Sequence, residues 1–182
     1  MRIVDAVFPA ADPDGLRAWY DDNVGAAPSF VRGEATPHHF AFHTASLEPW
    51  RERLDVSEEH DFSGWDGARA IYFRDPEQNI VEFLARPEPR PEVAIAEVGL
   101  PVDDVAAAVE TLAELGIEPY REWDETFAPL GTADGLLIAV RTGRGWFPYD
   151  VPAGAAPIEV TVEGVRPGEV AVPGSRHRVV SI

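Results

Sequence analysis

An imperfect repeat of strand, helix and further strands runs through the chain and limits the folds open to it. The first copy is short. Ile3 to Phe8 alternates as a strand, Asp12-Pro13-Asp14-Gly15 makes a turn, and Leu16, Trp19, Tyr20 and Val24 recur at helical spacing before Gly25. Pro28 to Glu34 reads as a short closing strand. The second copy is complete: a strand from His38 to Thr44, a short helix from Leu47 to Leu54 with proline in its first turn, a strand around His60 to Phe62, and a hairpin of Ala68 to Arg74 with Ile80 to Leu84. Arg86-Pro87-Glu88-Pro89-Arg90-Pro91 then reads as an extended linker, because alternate prolines remove backbone donors. The third copy has a strand from Ile95 to Val102, a helix from Val105 to Leu115 stopped by Gly116, and strands at Ile117 to Trp123, Gly135 to Arg141 and Ile158 to Val162. Glu169 to Val180 is a last hairpin or tail.

The expected organisation is a truncated module over 1–35, a complete βαβββ module over 36–88, a linker over 89–92, and a third module with C-terminal strands over 93–182. Such units cannot bury a sheet face alone. The fold class expected is therefore α+β, with repeated βαβββ modules forming a curved mixed sheet cup and helices on its outer face. The modules pair either within the chain or across a homodimer that completes the short copy.

The hairpin of the second copy carries the first chemical signal. Asp75-Pro76-Glu77-Gln78-Asn79 is a turn by its residue types, with Asn as a candidate for the left-handed position. Glu82 then sits between Val81 and Phe83, where a charge is costly to bury without a partner. In the strand His38-His39-Phe40-Ala41-Phe42-His43, alternation places His39, Ala41 and His43 on one face. Neutral imidazole and carboxylates on neighbouring strands suit a divalent metal with open positions, usable for chelating two adjacent oxygens or activating water.

Charge narrows the partners. The chain has 32 acidic residues against 15 basic ones, all Arg, for a formal net charge of −17. Nucleic acid is disfavoured as a partner. An acidic, Lys-free surface resembles halophilic proteins, whose self-repulsion is screened in molar salt. No Cys is present, which excludes disulfides and thiolate chemistry. No apolar run is long enough to span a bilayer and the N-terminus does not read as a signal peptide, so no membrane partner and a cytoplasmic location are expected.

Several stretches together resemble the vicinal oxygen chelate superfamily, which includes glyoxalase I, fosfomycin- and bleomycin-resistance proteins and extradiol dioxygenases. Leu16 to Gly25 resembles its first helix, His39-Phe40-Ala41-Phe42 its His-x-Ala-Phe strand, and Tyr72 to Leu84 its strand-Asp-Pro-x-x-Asn-strand-Glu signature. Glu97 to Asp104 resembles another first strand. The resemblance implies metal ligands on the first and last strands of a module, which here are His39 and Glu82. Asp5 and Glu97 stand at the first-strand place of the other copies, with Glu159 a looser candidate for a last strand. For Asp5 and Glu97 the alternative is a surface or capping acid.

The implied cofactor is a divalent metal (Fe, Mn, Zn or Ni), and the implied partner a small oxygenated molecule. Tyr72 matches a position that often faces substrate, the alternative being a packed core tyrosine. His43 is either an acid-base group or a strand-end histidine. Trp146 and Tyr149, with Phe147 between them, either line a pocket or pack against a neighbouring module. The expected function is a metal-dependent lyase, isomerase or dioxygenase. Its alternatives are a metal-free binding protein of the bleomycin-resistance type and a non-catalytic structural module.

Overall fold

Period-two alternation sorts the apolar residues of the strands onto two faces, and both faces are buried in the computed structural model, which describes residues 1–88 and 92–182. The linker expected over 89–92 falls on residues 89–91, outside those described, apart from Glu92. The elements are β1 (Arg2–Ala10), α1 (Pro13–Asn23), β2 (Ser29–Arg32), β3 (His39–His43), α2 (Glu48–Arg53), β4 (His60–Phe62), β5 (Ala68–Arg74), β6 (Ile80–Ala85) and β7 (Ala94–Val102). There follow α3 (Val105–Ala113), β8 (Phe127–Thr132), β9 (Gly135–Arg141), β10 (Gly145–Trp146), β11 (Val151–Pro152), β12 (Glu159–Glu163), β13 (Gly168–Ala171) and β14 (Arg178–Ser181).

A seven-stranded sheet has the order β4-β5-β6-β3-β7-β9-β8, and a five-stranded sheet the order β13-β14-β12-β1-β2. The architecture is α+β, with a curled half-barrel as its larger sheet. At its centre the first strands of two units, β3 and β7, run antiparallel, and each pairs in parallel with the last strand of its own unit, β6 or β9. The five-stranded sheet repeats that pattern: β1 and β12 are antiparallel, and pair in parallel with β2 and β14 respectively. The C-terminal strands thus complete the sheet begun by the short N-terminal copy and do not extend the third.

The main core joins the two sheets. Phe8 of β1 stacks on Phe40 of β3 at 5.1 Å, and Trp50 of α2 stacks on Phe83 of β6 at 4.0 Å. Leu112 of α3 and Tyr20 of α1 are fully buried in the same cluster, so the helices cover the face of the larger sheet opposite its concave side. α1 starts at Asp12, whose side chain accepts from the Gly15 amide, and stops where Gly25 turns left-handed at φ 81°. Among the described residues no helix is long and apolar enough to cross a membrane.

Two local expectations are corrected. Ile117 to Trp123 is not a strand: Pro119 makes one isolated bridge to Leu130, and the strand is β8 beyond it. Proline cannot donate to a ladder, and Asp124 folds the chain back by accepting from Thr126 and Phe127 amides. In the Asp75–Asn79 turn, the left-handed residue is Gln78 (φ 67°) rather than Asn79. The Asn79 amide is otherwise engaged, donating to Asp75 Oδ2 at 2.7 Å and accepting from the His38 amide at 2.9 Å.

Candidate metal centre

On β6 the alternation that sends Val81 and Phe83 into the main core sends Ile80, Glu82 and Leu84 to the concave face. On β7 a bulge sets the phase. Ala41 lies opposite Glu97 and Phe42 opposite Ile95, which leaves Ala96 as the extra residue. Ile95 and Val98 can therefore both enter the main core while Glu97 turns into the cup. His39 reaches the same place from β3, between those strands. His39, Glu82 and Glu97 are all buried and each offers one ligand atom within 4.8 Å of the others.

The imidazole is oriented from behind. His39 Nδ1 lies 3.1 Å from the carbonyl oxygen of Ile80, which can only accept, so Nδ1 carries the proton. Nε2 is left as a lone pair 3.7 Å from Glu82 Oε2. Burial pushes the His39 pKa down to about 4, keeping the ring neutral. Burial pushes Glu97 up to about 7, against the opposing pull of Arg86. Glu82 is also raised well above the usual carboxylate range, by burial and then by the Glu97 charge, although the Tyr72 hydroxyl hydrogen-bonds it. Burial, then Glu82 and Glu97, raise Tyr72 in turn, so its hydroxyl keeps its proton. Beside the neutral imidazole the two carboxylates have Arg86 as a single neighbouring positive charge, 3.8 Å from Glu97, and a divalent cation would supply the charge that Arg86 does not. The residues present fit such an ion.

Around this group is a cavity of about 160 Å³ walled largely by rings, among them Phe62, Trp65, Tyr72, Trp146 and Phe147. Trp146 packs on the His39 ring at 5.2 Å and occupies space left by Gly99, where a Cβ would fall 2.5 Å from Trp146 Cη2. Tyr149, expected in the pocket, does not line it. Its hydroxyl donates to the Tyr72 carbonyl at 3.2 Å and the Arg74 guanidinium covers its ring at 4.7 Å, so it braces β5 from outside. His43 is buried at the far end of β3 and lines a different depression with Met1, Arg2 and Glu92.

The paired sheets explain where the other expected acids went. Phe40 and Val98 face each other across β3 and β7, and a pseudo-twofold through them relates His39 to Glu97 and Ala41 to Gly99. Glu82 is opposite Ala41 and Ile138 is opposite Gly99, so Ile138 takes the place that corresponds to Glu82. In the smaller sheet the equivalent first-strand places hold Asp5 and Glu159, and the last-strand places Ser29 and Val180. Asp5 is therefore kept apart from His39. Its Oδ2 accepts from Ser29 Oγ at 2.7 Å and its Oδ1 from the Ala6 amide at 2.8 Å. Glu159 lies on a first strand, not a last one, and pairs with Arg178 at 3.1 Å.

Two charged residues of the cavity escaped the sequence reading. Arg86 lies in the stretch read as linker, yet it continues the Glu82, Leu84 alternation into the cavity; Arg144 joins it from the β9–β10 loop. The period-two count carried past β6 would have found Arg86.

No protein-family profile and no curated protein matches the sequence. Among solved structures, the chain is similar to glyoxalase I from Zea mays, at 15% identity and a TM-score of 0.62, over 99% of this chain and 91% of that one. It is also similar to a provisionally assigned dioxygenase from Bacillus subtilis, at 15% identity and a TM-score of 0.52, over 99% of this chain and 76% of that one. The fold is glyoxalase-like. Among the described residues, the concave face of the larger sheet brings together one imidazole and two carboxylates, with an isoleucine in the fourth symmetric place.

Proposed function

We propose that the protein is a divalent-metal-dependent enzyme acting on a small oxygenated molecule. The observation that carries this reading is the convergence of ligand atoms of His39, Glu82 and Glu97 within 4.8 Å, with His39 Nδ1 already committed to Ile80. His39, Glu82 and Glu97 would hold the ion, and Ile138 offers no fourth donor, which leaves coordination positions for substrate. A cation held there would supply Lewis-acid polarisation of two adjacent substrate oxygens. Tyr72, which stays protonated, orients a substrate oxygen as a hydrogen-bond donor. The rings of Trp146 and Phe147 exclude water from the reacting atoms. One imidazole with two carboxylates departs from the two-histidine, one-carboxylate set of non-haem iron oxygenases, which favours isomerase or lyase chemistry over oxygen activation.

The test is metal titration of the purified protein. One Mn²⁺, Ni²⁺, Zn²⁺ or Fe²⁺ should bind per chain, and His39→Ala and Glu82→Gln should each weaken binding. Affinity unchanged in both variants would sink the reading and favour a metal-free binding protein, whose support is the aromatic wall of the same cavity.

A further inference from the structure

Arg86 follows β6 and shares the inward face of Glu82 and Leu84. Its side chain is 8% exposed, and among the described residues its buried Nε and Nη1 have no hydrogen-bond partner. Glu97 Oε1 lies 3.8 Å from Nη2, a charge contact too long for a hydrogen bond. A guanidinium presents its donors as a planar fork, and leaving that fork unfilled inside a protein is costly. The rest of the cavity does not fill it, because its walls are mostly rings and aliphatic side chains.

Charge balance gives the missing partner its sign. A divalent cation on Glu82 and Glu97 cancels their charges and leaves the single positive charge of Arg86 uncompensated. Arg144 adds a second positive group at the exposed side of the same cavity, with its guanidinium over the Phe127 ring at 5.0 Å. In a chain of net charge −17, an anion gains nothing from the overall field, so such local cations are what would hold it.

We propose that the cavity takes a small monocarboxylate with a planar apolar body, its carboxylate on the Arg86 fork and its body against Trp146 and Phe147. The charge balance rests on the metal reading above; the unfilled Arg86 donors do not. A bidentate carboxylate supplies the two parallel acceptors that a guanidinium fork matches. The ring-to-ring spacing of Tyr72 and Phe147, 5.5 Å with the planes near perpendicular, already forms one corner of an aromatic wall.

Benzoate and its neutral isostere benzamide separate the possibilities. Each is titrated, by tryptophan fluorescence and calorimetry, into chelator-stripped, desalted protein and into Zn²⁺-loaded protein. Benzoate should bind about tenfold tighter than benzamide or better in both forms. Arg86→Gln should collapse that preference to about twofold or less in stripped protein, while Zn²⁺ still binds the variant. His39→Ala should do the reverse, losing Zn²⁺ affinity and keeping the preference in stripped protein, so failure of the metal reading is told apart from failure of this one. If Arg86→Gln does not fold by circular dichroism, Arg86→Lys keeps the charge and loses the fork, and its benzoate preference should still fall. Equal binding of benzoate and benzamide to the wild type overturns the proposal. So does a preference that survives in Arg86→Gln, or one seen only with Zn²⁺ present, since the carboxylate would then sit on the cation.

Discussion

His39 turns its Nε2 lone pair toward Glu82, 3.7 Å away, because its other nitrogen donates to the backbone carbonyl of Ile80 on the same neighbouring strand. Parallel pairing of β3 with β6 supplies both contacts, with His39 opposite Ile80 and Ala41 opposite Glu82. The donor direction is thus built into the sheet, before any ion arrives. Losing a ligand from so small a donor set should be severe. His39→Ala, Glu82→Gln and Glu97→Gln should each lower divalent-metal affinity by about a hundredfold, measured by competition with a chromogenic chelator. Asp5→Asn, on the other sheet, should leave it unchanged.

Metal binding should strengthen with pH. The Glu97 pKa is raised to about 7, so below that value a proton must leave before the carboxylate can ligate. Affinity should fall about tenfold per unit as pH drops below 7, and more steeply if Glu82, whose pKa is also raised, must lose a proton as well. The same shift sets a stability term in the cation-free protein. A carboxylate raised from 4.5 contributes stability fully present below pH 4.5 and lost as pH rises through about 7, here about 3 kcal/mol. Isothermal titrations at pH 5.5 and 7.5, in buffers of differing ionisation enthalpy, should show both the gain in affinity and proton release. Equal affinity at the two pH values would contradict the geometry.

Acid should weaken the contact between the sheets. His38 and His177 are buried with pKa values lowered to about 4; burial is the main cause for both, and for His38 the His177 charge is the next. His38 packs on Phe8 at 4.8 Å, and His177 Nε2 contacts the Pro101 carbonyl at 2.6 Å. A histidine with a lowered folded pKa contributes stability present above pH 6.5 and lost as pH falls through about 4, of order 3 kcal/mol each. His177→Gln removes one of these groups. The difference in urea stability between wild type and this variant should therefore shrink as pH falls from 7 to 4.

The Asp75 turn should be a stability centre. Tyr20 on α1 donates its hydroxyl to Asp75 Oδ2 at 2.9 Å, and the amides of Glu77 and Asn79 donate to Oδ1 at 2.9 and 3.0 Å. Tyr20→Phe leaves a buried carboxylate one donor short and should cost about 1.5–3 kcal/mol by chemical denaturation, without altering metal affinity.

Gly99 should be intolerant of a side chain. A methyl group there meets Trp146 Cη2 at 2.5 Å and the His39 carbonyl oxygen at 3.1 Å, so Trp146 must move. Gly99→Ala should cost about 1–3 kcal/mol and shift the tryptophan emission, with aromatic ligands bound more weakly.

Much of this was legible in the chain. Period-two alternation placed Glu82 on the face opposite Val81 and Phe83, and His39 on the face opposite Phe40 and Phe42, because a strand leaves each residue only two directions. Helix stops at Gly25 and Gly116 were legible for a similar reason: both residues are left-handed, and glycine carries no steric penalty there. The strand at Phe127–Thr132 was missed because its Ala, Pro, Gly and Thr residues carry no alternation, and its place depends on β9 beside it.

The sequence by itself determined which residues face which side of an unbulged strand such as β3 or β6, since that follows from backbone geometry within a few residues. Tertiary structure decided which strands became neighbours. Pairing β3 with β7 and inserting Ala96 as a bulge brought Glu97 to His39, while pairing β1 with β12 gave Asp5 to Ser29. Those choices rest on contacts between distant parts of the chain and on one-residue shifts of register. A one-residue shift reverses every side chain beyond it, and nothing in the local pattern records it.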